Sequence, residues 1–308
     1  MDKSSGEATS KEQERAAIEA ELTPGFVVFE PDEQLTPFVF CSPHSGRQYP
    51  KVLLQSARLD AHALRKSEDC FVDELFAGVR SLGAPLVAAR FPRAYLDVNR
   101  EPFELDPELF GRGLPSFANA QSIRVAGGLG TIARIVADGE EIYSEPPTIE
   151  AALERIELLY QPFHAKLSQL LEATRERFGM VVLIDCHSMP SAAMSNSSTT
   201  RPDFVIGDRF GASCDPRLTR LIRDQLARQG YQALLNRPYA GGFITEHYGR
   251  PAQGMHAIQI EINRALYLNE QTLVPTIGFS LIRRDLMTLC RRLFAEAPAL
   301  TVRRTAAE

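Results

Sequence analysis

The sequence predicts an α/β protein built around a parallel or mixed sheet, and three features of it carry that expectation. Residues 180–191, MVVLIDCHSMPS, open with an apolar run that is short for a helix and rich in β-branched side chains. A strand covered on both faces of a sheet reads that way. A second short apolar run, 38–41, likewise breaks off into Ser42-Pro43-His44-Ser45-Gly46. Two strands therefore present a histidine near their carboxyl ends, the edge at which open α/β sheets bind ligands. Amphipathic helical stretches alternate with the strands, the longest over 148–178, with Ile149, Leu153, Ile156, Tyr160, Phe163 and Leu167 at helical spacing.

Taken in order, residues 1–22 are polar and rich in Glu and Lys. They read as a frayed tail or short surface helix ahead of a single domain over 23–308. Pro43 and Gly46 around His44 imply a tight loop whose backbone N–H groups can approach a ligand. Residues 56–82 are helical in pattern, interrupted by Ser67-Glu68-Asp69. That acid pair either caps a helix running from Cys70 or adds a carboxylate, from Asp69 or its rival Glu68, to the two histidines. Two histidines, a carboxylate and water are a common catalytic zinc arrangement. Residues 85–89 read as another strand. The Arg93, Asn99 and Arg100 that follow could clamp a carboxylate, which guanidinium groups bind through paired hydrogen bonds; a surface ion-pair network is the competing reading.

Residues 101–147 are Gly- and Pro-rich and read as a long functional loop region, with Arg134 a further anion contact. The Gly127-Gly128-Leu129-Gly130 segment lacks the GK[ST] of a phosphate loop. Pro162 should kink or split the 148–178 helix, and His164 beside it reads either as structural or as a support standing behind site residues. Residues 204–207 form a short strand, and Asp215-Pro216 opens a helix as N-cap and first-turn proline. The last clear strand, 256–263, puts Ile258, Ile260 and Ile262 on one side and Gln259 and Glu261 on the other. A glutamate there is costly unless it is paired or working. A final helix is predicted over 276–296.

Composition narrows the classes. The chain of 308 residues is 44% hydrophobic and 24% charged, with a formal net charge of −5, values typical of a soluble globular protein. Acids and bases are mixed, so no basic stripe suits nucleic acid or a membrane surface, and no apolar run approaches a membrane span. The N-terminus lacks the apolar core of a signal peptide. The five cysteines are scattered without a CxxC pair, which argues against a disulfide framework and for a reduced cytoplasm.

Strand and loop tips thus deliver His44, Asp69, His187 and Glu261, with Arg93, Asn99 and Arg100 as a carboxylate clamp. Two neutral imidazoles and a carboxylate bind a divalent metal and leave a position for water. A separate carboxylate can take the water's proton and give it to a leaving group. That inventory fits metal-assisted hydrolysis of an amide in a small acidic molecule.

The segments SPHSG (42–46), EDCFVDELF (68–76), RAYLDVNREP (93–102), DCHSMPS (185–191), GGFITEHYGRP (241–251) and HAIQIEINRALYLNE (256–270) occur in the order expected of one family. Over residues 38–270 the chain resembles the N-formylglutamate amidohydrolase (deformylase) family. The resemblance implies a three-layer α/β/α sandwich around a mixed, mostly parallel sheet, akin to the zinc carboxypeptidases. It implies one zinc ion (Zn2+) on His44, Asp69 and His187, a substrate-carboxylate clamp at Asn99-Arg100, and Glu261 as the catalytic glutamate with an arginine, Arg100, at the oxyanion. The HxxE pair of carboxypeptidases is absent, because Arg47 stands three residues after His44. The acidic ligand must come from elsewhere, with Glu68 a rival to Asp69. The expected reaction takes N-formyl-L-glutamate and water to formate and L-glutamate. A broader N-acyl amino-acid hydrolase or small carboxypeptidase would differ in the loops at 101–147 and 236–254. A non-catalytic metal- or amino-acid-binding protein would not need Glu261. A serine hydrolase lacks its GxSxG.

Overall fold

A computed structural model of the chain describes residues 3–111, 113–136, 139–194 and 201–301. In chain order its elements are α1 (Lys3–Glu21), β1 (Phe26–Phe29), β2 (Phe38–Ser42), α2 (Lys51–Ser56), α3 (Ala61–Arg65), α4 (Val72–Phe76), β3 (Leu86–Ala89), α5 (Pro107–Phe110), α6 (Ile123–Ala126), α7 (Ile149–Arg155) and α8 (Gln161–Phe178). There follow β4 (Val181–Met189), β5 (Phe204–Gly207), α9 (Pro216–Arg228), β6 (Ala233–Leu235), α10 (Phe243–Tyr248), β7 (Met255–Asn263), β8 (Leu268–Asn269), β9 (Val274–Pro275) and α11 (Gly278–Thr301). Seven strands form one sheet in the order β1-β3-β2-β4-β7-β5-β6. β2, β4 and β7 run parallel, β5 and β6 are parallel to each other, and β5 is antiparallel to β7. The mixed, mostly parallel α/β sheet expected from the sequence is present. By contacts the chain gathers into two units, one of Met1–Val27, Pro43–Cys70 and Ala88–Leu167, the other of Val28–Ser42, Phe71–Val87 and Ser168–Glu308.

In the second unit, strand alternation sorts the sheet into two chemically different faces. Phe38 and Phe40 of β2 meet Phe294 of α11, and Phe40 also meets Phe76 of α4, with ring centroids 5.0–6.1 Å apart. Phe40 is in register with Ile184, and Cys41 with Asp185. Asp185 in turn pairs with Gln259, and His187 with Glu261. Asp185, His187, Gln259 and Glu261 therefore share the face opposite α4 and α11. On that face lies α10, whose Thr245 hydroxyl donates to Asp185 at 3.1 Å. Helices cover both faces of this sheet.

β4 runs on through Asp185-Cys186-His187 to Met189, past the end of its apolar run. Its polar residues are satisfied within the strand and from outside it, Asp185 by His187 and by Thr245, and Ser188 by Arg264. α9 starts as expected, with Asp215 accepting from the Arg217 amide at 2.7 Å.

In the first unit, α1 buries Ile18 against the core, and Leu22 just beyond its end is buried too. Its Glu14 meets Arg155 of α7 in a fully enclosed pair at 2.6 Å. The Arg155 guanidinium lies 3.9 Å over the Tyr95 ring and donates to the Tyr95 carbonyl and the Tyr143 hydroxyl. Thr148 caps α7 by accepting from the Ala151 amide at 3.2 Å. The break expected at Pro162 appears as a π-helical turn over Ile156–Tyr160. The extra residue in that turn moves aside the carbonyl that the proline ring would strike.

Candidate metal centre

His44 follows β2 in a loop whose approach to the chain at Phe91 leaves no room for a side chain. A Cβ on Gly46 would stand 2.1 Å from the Phe91 carbonyl oxygen, which accounts for the glycine of SPHSG. The Asp69 amide donates to the His44 carbonyl at 3.0 Å, and an Asp69 carboxylate oxygen, Oδ2, stands 3.5 Å from His44 Nδ1. Asp69 is therefore no helix cap. α4 begins three residues later at Val72, after Phe71 in a left-handed conformation with φ 62°. The neighbouring Glu68 is committed elsewhere, accepting from the Tyr49 hydroxyl at 2.7 Å and from Arg65 at 3.1 Å.

The other ring nitrogen of His44, Nε2, contacts Asp97 Oδ1 at 2.7 Å. Asp97 sits inside RAYLDVNREP among more conspicuous arginines, and no local signal in the sequence marks it. It organises that motif, accepting from the Arg93 guanidinium at 2.7 Å and the Asn99 amide at 2.8 Å, with Arg100 3.8 Å away. Burial alone would raise the Asp97 carboxyl, but His44, Arg93 and Arg100 outweigh it and hold it well below the usual carboxylate range. Burial also lowers Arg100 to about 10, against the opposing pull of Asp97. Arg93, Asn99 and Arg100 thus gather around one carboxylate. Arg134 is engaged by the acids of and before α5, Asp106 at 2.8 Å and Glu108 at 2.6 Å.

In the second unit, His187 Nε2 meets Asp185 Oδ1 at 2.9 Å. Beside it in register, Glu261 is 6% exposed and accepts from the Gln259 carboxamide at 2.8 Å. Arg264, just past β7 and buried, donates to the Ser188 hydroxyl at 3.0 Å; no sequence signal beyond its place in the HAIQIEINRALYLNE segment marked it. His164 contacts the Val98 carbonyl at 2.8 Å and packs against Tyr160, the rings tilted by 31° with centroids 4.3 Å apart.

Among the described residues, His44, Asp69 and His187 can each offer a ligand atom within 4.8 Å of the others, and all three are buried. Two imidazoles and a carboxylate are the donor set of a three-ligand zinc site. Each imidazole has its Nε2 held by a buried aspartate, which fixes ring orientation and makes Nδ1 the nitrogen that could bind a metal. These residues fit a divalent metal.

The profile of the N-formylglutamate amidohydrolase family matches residues 36–268. The chain belongs to this family. An N-formylglutamate deformylase from Pseudomonas putida is 31% identical over 237 residues, 76% of this chain and 82% of that protein. A second, from Pseudomonas aeruginosa, is 30% identical over 238 residues, 76% of this chain and 83% of that protein. The crystal structure of N-formylglutamate amidohydrolase from Ralstonia eutropha JMP134 superimposes with a TM-score of 0.84 at 35% identity, covering 89% of this chain and 99% of that one. The N-formylglutamate amidohydrolase match contains every residue singled out above for metal, base or clamp, whereas α1 and α11 lie outside it.

Proposed function

We propose that the chain hydrolyses N-formyl-L-glutamate to formate and L-glutamate, using one zinc ion held by His44, Asp69 and His187. What supports the reaction is membership of the family and two relatives named N-formylglutamate deformylase. What supports the chemistry is one geometric fact: a buried carboxylate, Glu261, stands in register with His187 of the His-Asp-His group. A zinc ion bound there supplies Lewis-acid activation of water and of the formyl carbonyl.

The chain's own groups do the rest. Glu261 accepts a proton from the attacking water at a carboxylate oxygen and returns it to the amide nitrogen as the C–N bond breaks. Arg100 stabilises the negative charge developing on the formyl oxygen. Arg93, Asn99 and Arg100 receive a substrate carboxylate. Arg134 would have to exchange Asp106 and Glu108 for substrate to act as a further anion contact. Asp69 rather than Glu68 is the acidic ligand in this reading, because Glu68 is already bound by Tyr49 and Arg65. Residues 23–308 act as one catalytic domain, and the five buried thiols suit a reducing compartment such as the cytoplasm.

Glu261→Gln tests the assignment of the base. It should lower turnover by about 10²–10⁴-fold and leave zinc bound one to one. A near-normal rate would contradict it.

A further inference from the structure

The short helix α10 lies in GGFITEHYGRP, a segment to which the proposed reaction assigns no role. We infer that α10 is a shared positioning element that sets the metal ligand His187 and the base Glu261 through two separate hydrogen-bond relays. The first relay starts at the Thr245 hydroxyl, which donates to Asp185 Oδ2 at 3.1 Å. The other oxygen of that carboxylate holds His187 Nε2 at 2.9 Å. Thr245 and Asp185 are both 0% exposed, so water does not compete for either group.

The second relay starts one residue before the helix. The Gly242 amide donates to Gln259 Oε1 at 2.7 Å, and Gln259 Nε2 donates to Glu261 Oε1 at 2.8 Å. A backbone N–H can only donate, so the carboxamide oxygen must face Gly242 and its NH2 must face Glu261. The amide cannot flip without facing donor to donor and acceptor to acceptor. One oxygen of Glu261 is thereby pinned. Asp185 and Gln259 are register partners on β4 and β7, as are His187 and Glu261. A single helix thus sits over two adjacent strand positions and orients the working residue two places further along each. The relays share no side chain, which makes them separable by mutation.

The inference rests on the proposed roles of His187 and Glu261, and its test separates the two relays. Zinc affinity is read by competition with a chromophoric chelator, which needs no substrate, and kcat and KM are read from formate release. Thr245→Val keeps the shape and removes the donor; it should weaken zinc binding by about 10-fold or more. Thr245→Ser keeps the hydroxyl and should restore wild-type affinity. Gln259→Leu should leave zinc affinity within about twofold and lower kcat by about 10²-fold, as misplacement of a reacting group does, with KM little changed. Gln259→Glu, nearly isosteric, should show the same kcat loss and serves if the leucine variant does not fold. A Thr245→Val chain that binds zinc as tightly as wild type overturns the inference, as does either Gln259 variant at full kcat. A wild-type chain that neither binds zinc nor releases formate overturns the functional reading itself.

Discussion

Asp97 carries more of the site than any other residue that the sequence left unmarked. It accepts from His44, Arg93 and the Asn99 amide at once, so one carboxylate orients a proposed metal ligand and gathers the residues of the proposed clamp. Asp97→Asn keeps the size and removes the charge. Zinc affinity should fall about 10–100-fold, measured by chelator competition; unchanged affinity would mean that Asp97 serves only the arginines. Its role was not legible because it depends on a histidine 53 positions away. His44, His187 and Glu261 were legible, since a polar residue following or interrupting an apolar strand is conspicuous against its neighbours. The choice between Asp69 and Glu68 was not, because adjacent acids have the same local pattern. Tertiary contacts distinguish them: Tyr49 and Arg65 hold Glu68, while Asp69 stands beside His44.

Among the elements, strands and capped helices were read best, because their signals are local. Asp215-Pro216 specifies a helix start by itself, and 204–207 is the strand observed. β4 outruns its apolar segment because Thr245, 60 residues away, satisfies Asp185 from outside the local pattern, alongside His187 in the strand itself. The role of α1 was hidden for the same reason: its polar sequence conceals Glu14, whose partner Arg155 is 141 residues away. That pair is enclosed, with Arg155 at 1% exposure. Removing one member of a buried ion pair strands the other charge, at a cost of about 3–5 kcal/mol. Arg155→Met should therefore destabilise the chain by about that amount in urea unfolding. A loss within 1 kcal/mol, the usual limit for exposed pairs, would show that water reaches Glu14.

At the scale of the whole molecule, stability should depend on pH through histidines whose pKa folding lowers, above all the buried His256. His256 Nδ1 accepts from the Asp215 amide at 3.1 Å, so that nitrogen is unprotonated. Burial holds its pKa below the ordinary value, despite Asp215 pulling the other way; the exposed His247 is lowered too, by partial desolvation and by Arg250, and water screens its contribution. The unfolded chain then binds more protons, so this stability is present above about pH 6.5. It is lost as pH falls from there towards the folded-state value. Urea midpoints of the metal-free chain should drop between about pH 7 and pH 5, and His256→Gln should flatten that slope. The fold class was legible at this scale because alternation of apolar strands with amphipathic helices spans the chain. The His-Asp-His group was legible only as an inventory, since its members come from three separate segments. The most direct test of the central proposal is formate release from N-formyl-L-glutamate by the purified protein, with chelator and after zinc is restored. Release that stops with chelator and returns with zinc is the predicted result; release that continues unchanged in metal-stripped protein would contradict it.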